Sequence, residues 1–235
     1  KAGVAGTKIW STGVVMVDIN SDGFLDIYVC NAGNSKGGEQ NNELFINNGN
    51  NTFTEKADEY NLADTGITTH AAFFDYDLDG DLDMYLLNHA VHSELSFGNA
   101  DIRNRRSYEC GDKLFRNDNG KFVDVSEASG IYGSLIGFGL GVTVGDVNGD
   151  LYPDIYVSND FYERDYLYIN NKNGTFSEKI QDWTMHLSQS SMGADMADVN
   201  NDGKADIFVT DMLPEPDDRL KTTTNFENYD LFTRK

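Results

Sequence analysis

Apolar and polar positions alternate along this chain in short runs, and the runs return in a fixed order. A run such as Gly13–Val17 ends on an acidic loop, and a second run follows at once: Ile27–Val29, Met84–Leu86, Ile155–Val157 and Ile207–Val209. Alternation on this scale is the period of a half-buried strand, not of a helix. A third run comes as Leu44–Asn47, Leu114–Asn117 and Leu167–Asn170, with no counterpart in the last repeat. Asn48-Gly49, Asn119-Gly120 or Asn173-Gly174 follows it, then an aromatic at Phe53, Phe122 or Phe176, the short-range mark of a hairpin. The first run carries Gly13, Gly141 or Gly193 five positions ahead of its loop, with His70 at that place in the second repeat.

The repeating unit is therefore four strands. Its first loop aspartates stand 57, 71 and 52 residues apart, in or near the range of propeller blades. Strands this short make a sheet too small to be stable alone, and radial stacking buries both faces while protecting the edges. The expected fold is all-β, a β-propeller of four-stranded blades, here one segment over residues 1–235 forming an incomplete arc of about three and a half blades. Residues 1–11 lead in between blades, 12–68 form a blade, 69–138 a blade with a long insertion at 88–112, 139–190 a blade, and 191–235 a partial blade with a polar tail. The opening KAGVAG at 1–6 matches ASGIYG at 128–133, the stretch that passes from one blade to the next.

The loops carry the chemistry. They read DINSDGFLD from Asp18, DYDLDGDLD from Asp75, DVNGDLYPD from Asp146 and DVNNDGKAD from Asp198. Oxygen side chains stand at positions one, three, five and nine, the way a flexible loop surrounds a hard cation that takes about six to eight oxygen ligands. Calcium is the ion expected, three to four ions in all. Asp, Asn and Gly are also plain turn formers, but a turn does not need the carboxylates crowded into 75–83, which repel one another without a cation. In the third loop position six is Leu151, where the others have Gly23, Gly80 and Gly203. A left-handed non-glycine costs about 1–2 kcal/mol, so Gly149 and Pro153 are expected to reshape this loop, and its affinity is expected to be the lowest.

Charge narrows the field. The net charge of −21 repels nucleic acid and anionic membrane surfaces, and 14 of the 39 acids lie in the four loops, so much of the acidity is ligand rather than solvated surface. Cys30 and Cys110 make no disulfide framework; one bridge or two free thiols remain equally open. No apolar run is long enough for a membrane span. Catalytic patterns are thin: His89 and His92 lack the glutamate of a zinc-protease helix and read as surface histidines, His70 reads as packing or capping, and His186 stands alone. Arg103, Arg105 and Arg106 in the long insertion form the one basic cluster, read as solvated loop rather than docking site.

The loops together with the Asn-x-Leu-Phe-x-Asn-x-Gly-x-x-Phe hairpins resemble the FG-GAP/VCBS repeats of integrin α-subunit propellers and of many bacterial surface proteins. The stretch from Ser191 to Glu215 resembles the cartilage acidic protein (ASPIC/UnbV) branch more closely. The resemblance implies side-chain calcium ligation by Asp18, Asn20, Asp22 and Asp26; by Asp75, Asp77, Asp79 and Asp83; by Asp146, Asn148, Asp150 and Asp154; and by Asp198, Asn200, Asp202 and Asp206. At position seven it implies a backbone carbonyl, so Phe24, Asp81, Tyr152 and Lys204 count there by main chain. It further implies a secreted or surface-anchored protein.

Two functions fit. One is a calcium-stabilised extracellular scaffold binding a protein or glycan, with its open edges covered by the rest of the propeller or by a partner chain. The other is the propeller module of a polysaccharide-degrading enzyme such as a lyase. Carboxylates committed to a metal are removed from proton transfer, which favours the binding scaffold over the enzyme.

Overall fold

The computed structural model describes residues 1–8, 10–32, 41–90, 100–160, 163–188 and 190–212. Fourteen strands alternate with those loops: β1 (Ser11–Val17), β2 (Asp26–Asn31), β3 (Glu43–Asn47), β4 (Phe53–Glu55), β5 (Thr68–Phe74), β6 (Asp83–Asn88), β7 (Lys113–Asn117), β8 (Phe122–Asp124), β9 (Gly139–Gly145), β10 (Asp154–Asn159), β11 (Tyr166–Asn170), β12 (Phe176–Glu178), β13 (Ser191–Ala197) and β14 (Asp206–Asp211). They pair antiparallel in sequence order as three four-stranded sheets and a two-stranded one, β13–β14. These are the blades of an incomplete β-propeller.

The repeat is kept down to single residues. Ile27 pairs with Phe45, Met84 with Phe115 and Ile155 with Tyr168. Each first strand slips register near its start, leaving Thr12, Thr69, Leu140 and Met192 as the extra residue of a bulge. Two of these stitch neighbouring blades: Thr12 Oγ1 donates to the Thr68 carbonyl at 2.6 Å, and Thr69 Oγ1 to that of Gly139 at 2.8 Å. The small residue of the first strand has its reason here. A Cβ on Gly13 would lie 2.5 Å from the Thr69 carbonyl, so backbone meets backbone where adjacent blades converge. His70, which replaces glycine in the second repeat, packs against that same Gly13.

The core lies between the sheets. One apolar layer joins Val17, Tyr28, Leu44 and Ile46 of the first blade to Ala71, Met84, Leu86 and Phe122 of the second. A second layer joins Phe74, Tyr85 and Leu114 to Ile155, Val157 and Tyr168, and a third sets Tyr156 and Leu167 against Ala194, Met196 and Val209. Phe73 meets Tyr28 edge-on at 5.6 Å across the first junction. At the outer faces the matching positions are bare: Phe208, equivalent to Tyr28, is 65% exposed, while Val14 and Met16 of β1 are 61% and 58% exposed.

Connections between blades repeat too. The Phe53 N–H donates to the Ala2 carbonyl and the Phe176 N–H to that of Ser129, both at 2.8 Å, so residues 1–6 lie on the first blade as 128–133 lie on the third. Two four-residue helices, α1 (Ala57–Tyr60) and α2 (Ile180–Trp183), follow β4 and β12. They were not read from the sequence, being a single turn each.

The described part of the long insertion overturns its reading as solvated loop. Arg103 pairs with buried Glu163 of the third blade at 2.9 Å. Arg106 donates to the carbonyls of Asp112 at 2.9 Å and Ile131 at 2.6 Å, while Arg105 is exposed. In the first blade the carbonyl equivalent to Ile131, that of Leu62, accepts instead from the Tyr28 hydroxyl. The second blade's Tyr85 gives its hydroxyl to Asp112, and Arg106 takes the carbonyl left over. His89 is likewise no surface histidine: it is half-buried and its ring lies 4.8 Å from that of Phe138. His92 and the rest of 91–99 lie outside the described residues, as do residues 213–235.

Arg106→Ala is expected to lower stability by about 2–3 kcal/mol, because two buried carbonyls lose their donor. Arg106→Lys should recover only part, since one ammonium cannot span both sites as the guanidinium fork does. Urea denaturation checks this, and an unchanged midpoint for Arg106→Ala would remove the bracing role.

Candidate metal centres

All four loops fold by one rule, in which the backbone turns inward and its N–H groups orient the carboxylates. The position-one aspartate accepts from the N–H groups of positions five and six: Asp18 from Asp22 (3.0 Å) and Gly23 (2.8 Å), Asp75 from Asp79 (3.1 Å) and Gly80 (3.0 Å), Asp146 from Asp150 (3.1 Å) and Leu151 (2.7 Å), Asp198 from Asp202 (3.0 Å) and Gly203 (2.8 Å). Position five accepts from position seven, as Asp22 does from Phe24, Asp79 from Asp81, Asp150 from Tyr152 and Asp202 from Lys204. At position three, Asn20, Asn148 and Asn200 accept the N–H of Asp22, Asp150 and Asp202.

Position nine does something the sequence did not disclose. Asp26 opens β2 fully buried; one oxygen accepts the Ile19 N–H at 3.1 Å and the other the Asn47 N–H, at the end of β3, at 2.7 Å. Asp83 does the same with Tyr76 (3.1 Å) and Asn117 (2.8 Å), and Asp154 with Val147 (3.0 Å) and Asn170 (2.8 Å). Asp206 keeps the loop bond alone, to Val199 at 3.2 Å, and is only half-buried. The recurring Asn47, Asn117 and Asn170 at the ends of the third strands were the available signal.

The third loop corrects the expectation of a reshaped turn. Elsewhere position four is left-handed without glycine, at Ser21 (φ 57°), Leu78 (61°) and Asn201 (61°), and position six is left-handed with glycine. In the third loop the glycine sits at position four, Gly149 (78°), and Leu151 takes position six at 71°. The path and the shared hydrogen bonds are kept, and the third loop adds one, from the Gly149 N–H to Asp146 Oδ1 at 2.8 Å. Each loop thus holds one strained non-glycine residue, and Leu151 gives the third no excess.

The second loop gathers most charge. Ligand oxygens of Asp75, Asp77 and Asp83 lie within 4.8 Å of one another. Asp77 Oδ1 and Asp81 Oδ1 are closed off from solvent without a hydrogen-bond partner, which is the condition of oxygens that fit a cation. Asp81 was assigned to the loop by its main chain; its Oδ1 too is closed off from solvent, though the cluster of ligand oxygens is that of Asp75, Asp77 and Asp83. Burial, then neighbouring Asp79, raises both carboxyls above the usual range, and burial pushes Asp83 up to about 7. Burial raises Asp26 and Asp154 as well. In the third loop the order inverts at Asp150, held low first by the Tyr152 N–H and then by Lys172, whose Nζ lies 3.2 Å away.

Other candidate groups stand apart from the loops. Cys30 and Cys110 are both free thiols, Cys30 buried in the core and pushed up to about 12. Burial lowers His70 and His89, and His186 is exposed.

In sequence, residues 18–86 and 146–209, more than half of the chain, match the FG-GAP-like repeat. No curated protein matches. Among solved structures, a lectin of Agrocybe aegerita described by its specific recognition of non-reducing terminal N-acetylglucosamine is similar at 20% identity with a TM-score of 0.43, over 83% of this chain and 45% of that one. The chain thus spans less than half of that lectin's length.

In calcium-free buffer three buried carboxyls are expected to push the melting temperature up as pH falls from about 8 to about 6, against an opposing loss from the lowered His70 and His89. Asp83, Asp112 (about 7) and Asp165 (about 6) all have pKa values raised in the fold by burial, so the stability they contribute is fully present below the ordinary carboxylate range and lost as pH rises through about 6–7. Calcium should abolish the share of Asp83 by holding it ionised, and Asp112→Asn should abolish a second share. Thermal melts at stepped pH with chelator, compared between wild type and Asp112→Asn, check the sign; a wild type that gains no more than Asp112→Asn as pH falls over this range contradicts it.

Proposed function

We propose that this chain, which belongs to the FG-GAP-like repeat family, is a calcium-stabilised extracellular propeller segment that binds and does not catalyse. The observation that carries this is the sealed, unpartnered Oδ1 of Asp77 in a loop where ligand oxygens of Asp75, Asp77 and Asp83 lie within 4.8 Å of one another. A calcium ion held there would supply charge to oxygens that otherwise repel one another, at oxygen distances of about 2.3–2.6 Å. Asp18, Asn20, Asp22 and Asp26, and the matching residues of the third and fourth loops, would hold the others.

The protein's own part is to present those oxygens. Backbone N–H groups at positions five and six fix the first carboxylate, and the third strand fixes the ninth. A carboxylate held ionised by a bound cation is removed from proton transfer, which supports a structural role for the metal. Recognition then falls to the connections on this rigid frame, with a protein or glycan outside the cell as the partner. Calcium is abundant there, so sites of modest affinity fill. The pattern from Ser191 to Glu215 supports placement in the cartilage acidic protein branch, on a bacterial surface. No helix among the described residues is long and apolar enough to cross a membrane.

The bare faces also call for partners. Phe208 on one side and Val14 and Met16 on the other are halves of the contact that Tyr28 and Phe73 complete inside the arc. We assign both to further blades, from the same polypeptide or a partner chain.

Calorimetric titration of metal-stripped protein should show three to four calcium ions binding, with a melting temperature raised by calcium and lowered by chelator. Asp77→Ala should weaken one step about tenfold or more, whereas surface Asp58→Ala should leave every step unchanged. Absence of any binding step would end the calcium reading.

A further inference from the structure

The third loop has a cation of the protein's own. Lys172 stands in the turn after β11, left-handed at φ 62°, where the first and second blades have Gly49 (72°) and Asn119 (56°). Its backbone N–H donates to Asn170 Oδ1 at 2.9 Å, which fixes the base of the side chain. The ammonium lies over the Tyr152 ring, with Nζ 5.2 Å from its centroid. The ammonium ends 3.2 Å from Asp150 Oδ2 and 3.5 Å from the Asp150 carbonyl.

Which oxygen it touches matters. Asp150 Oδ1 accepts the Tyr152 N–H at 2.9 Å, whereas Oδ2 accepts no backbone N–H, so Lys172 sits on the oxygen of this carboxylate with the most capacity left for a metal. In the first loop the same oxygen, Asp22 Oδ2, faces the side chain of its own loop's Asn20. In the fourth loop Lys204 gives Asp202 its backbone N–H and is itself exposed. Among the described residues no other loop has an ammonium on its position-five carboxylate.

We propose that Lys172 is a tethered competitor for calcium, so that the third loop is the last of the four to fill and its affinity is set by this lysine. The proposal rests on the calcium reading of the loops. It replaces backbone strain as the cause, because Gly149 and Leu151 exchange places without adding a strained residue and the loop already has the path of its neighbours. Calcium entering the third loop meets a positive charge that must withdraw or be tolerated. Lys172 is half-exposed and screened by solvent, which limits the penalty to about two- to fivefold in affinity. The consequence reaches the neighbouring blade: Asn170, next to this turn, gives its N–H to Asp154 of the third loop and its Nδ2 to the Tyr76 carbonyl of the second.

The test is calcium titration of the full metal-stripped chain by calorimetry. Asp146→Ala identifies the third-loop step as the one that disappears. Lys172→Met, which removes the charge and keeps an unbranched side chain, should tighten that step about two- to fivefold and leave the others alone, with Lys172→Gln doing the same. Raising the salt concentration should narrow the gap between wild type and Lys172→Met. Leu151→Gly, which relieves the left-handed residue and keeps the lysine, should move the step less than about twofold. If the wild-type third step is too weak to see, Lys172→Met should bring it into view. A third step unchanged or still absent in both lysine variants, or one tightened by Leu151→Gly instead, overturns the proposal while the other steps keep the calcium reading intact. No calcium step from any loop overturns both.

Discussion

A buried carboxylate at the head of each second strand is the constraint on which the blades depend. Asp26, Asp83 and Asp154 are removed from water at the point where loop, second strand and third strand meet. An ionised group there is costly unless it is bonded, and two backbone N–H groups, one from the loop and one from the third strand, provide the minimum. The raised pKa of Asp83 shows that two are not enough to restore the ordinary carboxylate range. A metal bound in these loops would therefore draw on the same oxygens as sheet assembly. The two-stranded sheet shows the converse: among the described residues Asp206 has no third-strand donor, and it stays half-exposed.

Between blades the repeat permits local substitution so long as every buried polar group is answered. Asn42, Asp112 and Asp165 occupy one structural position before the third strand, each accepting the N–H of the asparagine that ends the second strand. Asn42 donates to the Tyr28 hydroxyl, whereas Asp112 and Asp165 accept from Tyr85 and Tyr156. Reversing that one bond frees a carbonyl in the second blade, and Arg106, from a loop the first blade lacks, fills it. The insertion is in this sense part of the blade's hydrogen bonding.

How much of this could be read from the sequence follows from how local each feature is. Strand positions and hairpins were legible because alternation and Asn-Gly turns act within a few residues and recur. The loops were legible because oxygen spacing is itself the chemistry. Arg103 and Arg106 were misread because their partners, Glu163 and Ile131, are distant in the chain and carry no pattern pointing back. The same holds for Lys172 on Asp150, and for Asp26, whose second bond comes from a strand the loop does not contain. Leu151 was misjudged for another reason: its environment was taken from its counterparts residue by residue, when the constraint acts on two positions jointly.

That exchange of Gly149 and Leu151 bears on how such loops are recognised elsewhere. A search string that demands glycine at position six would pass over DVNGDLYPD, although its backbone follows the same course as DINSDGFLD. The quantity preserved is the number of left-handed sites relieved by glycine, one of two, and not the site chosen. Genomic inventories keyed to the familiar spelling will undercount these loops, and ancestral reconstructions that treat a glycine at position four as a lost loop will infer decay where only a permutation occurred.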